Sequence, residues 1–266
     1  MGEEEKAFEF DEHVAHQLNQ LFQTEALQKV RKNYFDFFDV HPGEHVLDVG
    51  CGTGANAIAL AERLEGDCRI TGVDNSEAML AIARNNLQGH PFRELIKLQH
   101  GDVHHLDFPA AHFDAAMVIQ VLEYSKDPVA LLREIRRVLK PGGKLFLADT
   151  DWDTIVWNSD DKELTRQIVL CWSDHEADGW QGRRLLELLS RAGYRDIRGD
   201  IYPIIEYSFR ESDYSYICTK IIADYLIRSE KMQPPQLEAW VKNLQSKDQQ
   251  GHFYFSLNRY KCLAFK

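Results

Sequence analysis

No apolar run in this 266-residue chain approaches the roughly 18 residues that a membrane-spanning helix needs, so no such span is expected. Cysteine is sparse. The five, at positions 51, 68, 171, 218 and 262, include no C-x-x-C pair, which argues against a disulfide framework or a cysteine metal site and for reduced thiols. The opening residues Gly2-Glu3-Glu4-Glu5-Lys6 carry neither the basic start nor the apolar stretch of a secretory signal, so a cytoplasmic location is expected. Basic residues are outnumbered 31 to 42, and a formal charge of -11 repels phosphate backbones and anionic lipid, so nucleic acid and membrane are not expected partners. Histidine is plentiful, but His13 with His16, one helical turn apart, and His100, His104 and His105 around the third strand read as ordinary loop and surface residues. His175-Glu176 lacks the second histidine of a zinc-protease helix, and no metal is expected.

Apolar spacing supplies the organisation. Val14, Leu18, Leu21 and Phe22, then Leu27, Val30, Tyr34 and Phe37, predict two helices within residues 1–41, before Pro42-Gly43. Short apolar runs at 45–49, 69–73, 95–99, 113–119 and 144–148 alternate with helical patterns, of which the best marked has Asp127 as cap, Pro128 as first residue and Pro141-Gly142-Gly143 as stop. Such alternation demands crossover connections and a mostly parallel sheet covered on both faces. Further on come a helix at 181–191, a strand at 195–205, a helical stretch at 214–244 broken by Pro234-Pro235, and a C-terminal strand. In that strand Phe253, Phe255 and Leu257 alternate one residue out of phase with Tyr260, Cys262 and Ala264, which predicts a bulge. The length suits one domain, 1–266, with a core at 42–150 and lid insertions at 151–180 and 208–250.

The segment Val46-Leu47-Asp48-Val49-Gly50-Cys51-Gly52-Thr53-Gly54 places three alternate glycines where a buried strand turns into a helix, so backbone can approach a ligand there. Without a following Gly-Lys-Ser or Gly-Lys-Thr it is not a P-loop. Gly50, Gly52 and Ala55 also satisfy the dinucleotide-binding pattern, so a nicotinamide cofactor and S-adenosylmethionine both remain open on this motif alone.

With Gly72-Val73-Asp74-Asn75-Ser76, Gly101-Asp102-Val103, Phe113-Asp114 and Leu139-Lys140-Pro141-Gly142-Gly143 in order and at the right spacing, residues 40 to 150 resemble the class I S-adenosylmethionine-dependent methyltransferases, in particular the ubiquinone and menaquinone C-methyltransferase-like group. The resemblance implies an α/β, Rossmann-like, doubly wound fold: a mostly parallel seven-stranded sheet with an antiparallel C-terminal strand and helical lid insertions. It implies S-adenosylmethionine as cofactor and S-adenosylhomocysteine as product. Gly50, Cys51 and Gly52 would line the cofactor, and Asp74, with Asn75 beside it, would accept both ribose hydroxyls. Asp102 and the Val103 backbone would meet the adenine edge, Met79 its face, Gln120 the methionine portion, and Arg31 the cofactor carboxylate. Asp48 would brace the glycine loop through backbone amides.

Methyl transfer from a sulfonium needs alignment and exclusion of water, and a base only where the acceptor must lose a proton early. Tyr124, after the fourth strand, stands where related enzymes often carry histidine. Asp151 and His175 belong to a stretch from Asp149 to Trp180 rich in aspartate, with Glu176, and in tryptophan, including Trp152. Tyr124, Asp151 and His175 are the candidate catalytic residues. If Asp151, Trp152 and His175 wall the acceptor pocket, the small-molecule acceptor carries positive charge. Otherwise the tryptophans only pack the lid and the acids face solvent. A nicotinamide-dependent oxidoreductase and a noncatalytic S-adenosylmethionine-binding protein are the alternative functions, the former leaving Asp102 and Pro141-Gly142-Gly143 without a role. The chain is expected to be a monomer or homodimer.

Overall fold

A computed structural model describes residues 11–175 and 177–266; the acidic segment Gly2 to Lys6 and Glu176 of the aspartate-rich stretch lie outside them. Two helices lead, α1 (Glu12–Phe22) and α2 (Glu25–Phe38). Each starts on a side-chain cap, Asp11 accepting from the Val14 N–H and Thr24 from the Leu27 N–H. The alternating core follows as β1 (His45–Val49), α3 (Ala55–Arg63), β2 (Arg69–Asp74), α4 (Glu77–Leu87), β3 (Ile96–His100), β4 (Phe113–Ile119), α5 (Pro128–Val138) and β5 (Leu139–Thr150). Asp127 caps α5 and Pro128 opens it, where a missing N–H costs nothing. Beyond the core lie β6 (Val156–Trp157), α6 (Lys162–Ser173), α7 (Gln181–Arg191), β7 (Arg195–Glu206), α8 (Tyr214–Arg228), α9 (Pro234–Gln249) and β8 (Phe255–Phe265).

The strands form one sheet in the order β3-β2-β1-β4-β5-β8-β6, with β7 along the other edge of β8. Pairings from β3 to β5 are all parallel, and β8 runs antiparallel to β5, β6 and β7. This is the doubly wound fold expected, the two-residue β6 being a small addition to seven longer strands. Winding reverses between β1 and β4, so their carboxyl ends open the crevice where ligands bind in such sheets. One apolar cluster, with Tyr34, Phe38 and Phe146, packs α2, α8 and α9 on one face. A second, with Leu131, Ile135 and Leu185, packs α5 and α7 on the other.

The bulge expected in the C-terminal strand is not in β8, whose pairing with β5 is continuous from Thr150↔Arg259 to Lys144↔Phe265. Phe255, Leu257, Arg259, Lys261 and Leu263 occupy one face in unbroken alternation and are all buried, while Cys262 and Ala264 are buried on the other face. The apparent slip arises because two buried positions are charged and both faces become covered. The irregularity lies in β7, between Arg195 and Arg198, where Asp196 takes a positive φ of 52°. No helix among the described residues is long and apolar enough to cross a membrane.

Candidate functional site

At the end of β1 the chain passes through Gly50, Gly52 and Gly54 with φ of 66°, 52° and 75°, a region that side chains disfavour. Space is also short. A Cβ on Gly50 would lie 2.5 Å from Val121 Cγ2, and one on Gly52 3.1 Å from Met79 Cε. The Gly50 and Cys51 N–H groups donate to the Val73 carbonyl at 2.8 and 3.1 Å, which holds the loop against the end of β2. There Asp74, 8% exposed, accepts from the Gly52 N–H (2.8 Å) through Oδ2 and from the Ser76 N–H (2.9 Å) through Oδ1. Burial raises its pKa against the lowering effect of those bonds. The Gly101 N–H donates to the Asp74 carbonyl at 3.0 Å and brings the end of β3 alongside.

Three strand ends thus gather Gly50, Cys51, Gly52, Asp74, Asn75, Met79, Asp102 and Val103. Cys51 is buried, and its thiol is pushed far up by burial. Asn75 is exposed and Met79 buried. Asp102, with a side chain 59% exposed, accepts from the His104 N–H at 2.8 Å and pairs with His105 at 3.0 Å, contacts that hold its carboxyl below the usual range and close its own turn. Val103 is half-buried beside it.

Asp48 departs from expectation. The loop amides go to Val73 and Asp74 instead, and Asp48, 1% exposed, keeps a buried Oδ2 with no hydrogen-bond partner among the described residues. Burial, then the charge of Asp74, push its carboxyl up to about 8. Thr53 Oγ1 is likewise buried and unsatisfied. Both atoms are enclosed beneath the glycine loop and have no accessible surface of their own.

Val121, packed over Gly50, joins this loop to the turn after β4. Gln120 begins that turn in a left-handed conformation, φ 58°, rare for a residue with a side chain. Its amide does not stand free: Nε2 donates to Glu123 Oε1 at 2.7 Å, and Oε1 accepts from Thr150 Oγ1 at 2.6 Å and from Arg259. Glu123, buried, also accepts from Trp152 Nε1 at 2.8 Å. Burial, then the Glu123 charge, drive the pKa of Asp149 well above its usual value. Tyr124 follows, half-buried in a 3-10 turn (Leu122–Tyr124).

Of the two readings of the stretch 149–180, the structure shows the acids and aromatics engaged within the protein. Asp151 is buried and paired with Arg183 of α7, whose Nη2 donates to Oδ1 at 2.7 Å and whose Nε bonds Oδ2, so its charge is already answered. His175 is buried and stacked on Trp172 at 3.6 Å, with Tyr225 of α8 5.1 Å away, and burial pushes its pKa down to about 3, which makes it a neutral packing group. Arg31 donates to the Phe22 carbonyl at 2.7 Å and so closes the end of α1. Asn86 Nδ2 in turn donates to Thr53 O and to Asn19 Oδ1, each at 3.0 Å, tying α1 to the glycine loop. Sequence reasoning missed Arg259. Its signal was a charged residue, like Lys261 two positions on, in the inward phase of β8. Among the described residues no three His, Cys, Asp or Glu side chains are grouped to hold a metal ion.

A family model described as a methyltransferase domain matches residues 47–147. A protein of unknown role in a transposon of Streptomyces fradiae is 34% identical over 178 residues, 66% of this chain and 51% of that protein. The demethylmenaquinone methyltransferase of Symbiobacterium thermophilum is 35% identical over 129 residues, 48% of this chain and 51% of that one. The chain spans about half the length of these curated relatives. In fold it is similar to the Haemonchus contortus phosphoethanolamine N-methyltransferase 2 solved with phosphomonomethylethanolamine and S-adenosylhomocysteine: TM-score 0.63, 18% identity, 97% of this chain and 58% of that one.

Proposed function

Residues 47–147 belong to the class I S-adenosylmethionine-dependent methyltransferase domain family, and on that premise we propose that this chain transfers a methyl group from S-adenosylmethionine to a small-molecule acceptor. The observation that carries the reading is the glycine loop, left-handed at Gly50, Gly52 and Gly54 and held against the Asp74 carboxylate. When bound, the cofactor supplies an electrophilic methyl group on a sulfonium; the chain's own residues bind, orient and exclude water. Asp74 spends one lone pair of each oxygen on the Gly52 and Ser76 amides and keeps others for ribose hydroxyls. Met79 packs on the adenine, with Asp102 and the Val103 backbone at its edge. Gln120, its amide already engaged, acts on the methionine end through the backbone of its turn.

On the acceptor side, Tyr124 is the candidate to hold an acceptor proton, and α1, α6, α8 and α9 form the lid. The cationic-acceptor reading loses its support here, because Asp151 is neutralised by Arg183 and His175 is packed as a neutral ring. The relatives' names point to two acceptor chemistries, a quinol and an amine. Conversion of S-adenosylmethionine should therefore be followed by mass spectrometry with demethylmenaquinol, phosphoethanolamine and a set of phenols and carboxylic acids. An acceptor gaining one methyl group is the expected result. Cofactor binding with no turnover on any of them would favour a noncatalytic binding role.

A further inference from the structure

One buried cation lies just behind this site and the cofactor reading does not use it. Arg259 of β8 is 4% exposed. Its Nη1 donates to Gln120 Oε1 and to Thr150 Oγ1, and its Nη2 donates to the Tyr214 hydroxyl at 2.8 Å. The three partners belong to the turn after β4, the end of β5 and the first residue of the lid helix α8. Charge dictates how Gln120 is turned: its carbonyl must meet the guanidinium, and its amide nitrogen then donates to Glu123. Burying a guanidinium is costly, and an aliphatic residue such as Leu257, two positions earlier on the same face, would fill the space without that cost. The planar fork reaches three acceptors on three elements at once, which a lysine ammonium on its flexible stem cannot reproduce.

We propose that Arg259 is a positioning residue for the acceptor side of methyl transfer, holding the Gln120–Tyr124 turn and the α8 lid in one fixed relation to the glycine loop. This rests on the methyltransferase reading. The left-handed Gln120 is the element that needs holding, since such backbone persists only where its surroundings fix it. Asp74 and the glycine amides form no hydrogen bond with Arg259 among the described residues, so of the cofactor contacts only the one through the Gln120 turn should feel its loss, and affinity should change little.

The test compares wild type with Arg259→Lys, Arg259→Ala, Tyr214→Phe and Thr150→Val. S-adenosylhomocysteine affinity should stay within about threefold of wild type, while kcat with an acceptor returned by the panel falls by about tenfold or more at unchanged KM for S-adenosylmethionine. Amide hydrogen exchange in 120–125 and 214–221 should quicken together in both Arg259 variants, and in 214–221 alone for Tyr214→Phe. Added guanidinium ion, but not urea at the same low concentration, should restore protection and turnover to Arg259→Ala. Should the Arg259 variants not fold, exchange in Tyr214→Phe and Thr150→Val decides the matter. No effect of guanidinium, quickening confined to β8, or unaltered exchange in both milder variants would overturn the proposal. Wild-type protein that does not bind S-adenosylhomocysteine would instead overturn the methyltransferase reading, with the exchange coupling still readable.

Discussion

Replacing Asp74 probes the cofactor site and the loop together, and the structure lets the two effects be separated. Asp74→Ala removes the acceptor of the Gly52 N–H and of the Ser76 N–H, bonds of 2.8 and 2.9 Å at a residue only 8% exposed. Each N–H left without a partner costs about 1–3 kcal/mol, offset in part by no longer burying a carboxylate, so a net stability loss of about 2–4 kcal/mol is expected. Against a total of about 5–15 kcal/mol the protein should still fold, with a lower Tm. Asp74→Asn keeps one acceptor oxygen and turns a donor toward the other amide, so it should cost about half as much. Both variants lose a charged acceptor for the ribose hydroxyls, worth about 1.5–3 kcal/mol or roughly 10–150-fold in Kd. Thermal melts and calorimetric titration with S-adenosylhomocysteine measure the two effects. A folded Asp74→Asn protein with wild-type Kd would refute the ribose contact. Loss of binding in Asp74→Ala alone would assign the effect to loop collapse.

Asp48, pushed up to about 8 from 3.8, favours the folded state in its protonated form, so its contribution is present below about pH 4 and is lost as pH rises toward 8. Asp48→Asn should flatten that part of the stability profile in melts across pH, and an unchanged slope would mean the carboxyl titrates normally. His175, pushed down to about 3, contributes stability that is present above its ordinary 6.5 and is lost as pH falls. His175→Phe, which keeps a ring on Trp172, should flatten the acid limb in part, since His45, pushed down to about 4, shares it. Gly50→Ala meets both a φ of 66° and Val121 at 2.5 Å, whereas Gly89→Ala meets a φ of 76° and nothing within 4 Å. The dihedral costs about 1–2 kcal/mol in each and the clash adds about 1–3 kcal/mol at Gly50 alone. Equal losses at the two sites in denaturant titrations would show that Val121 does not crowd the loop.

The strand and helix order could be read from the sequence because buried parallel strands and amphipathic helices leave unmistakable periods, and because Asp127-Pro128 marks a helix start in two consecutive letters. The cofactor loop was legible for a similar reason: glycines at alternate positions mean backbone where side chains cannot go. Contacts between distant residues were not. Asp151 and Arg183 stand 32 residues apart and Gln120 and Arg259 stand 139 apart, so the sequence shows an acidic stretch and an odd arginine but not that the first is neutralised and the second is shared. In β8 the charged Arg259 and Lys261 hid an unbroken alternation and imitated a bulge. Motif order places Asp48 beside the loop but says nothing of which loop amides are already taken by Val73 and Asp74.

The central claim is that the loop at Gly50–Gly54 is built for S-adenosylmethionine and not for a nicotinamide dinucleotide. Parallel calorimetric titrations of the wild-type chain with S-adenosylhomocysteine and with NAD test it most directly. Saturable binding of S-adenosylhomocysteine at one site per chain, with no heat of binding from NAD, is the predicted result; saturable binding of NAD with none of S-adenosylhomocysteine would contradict it.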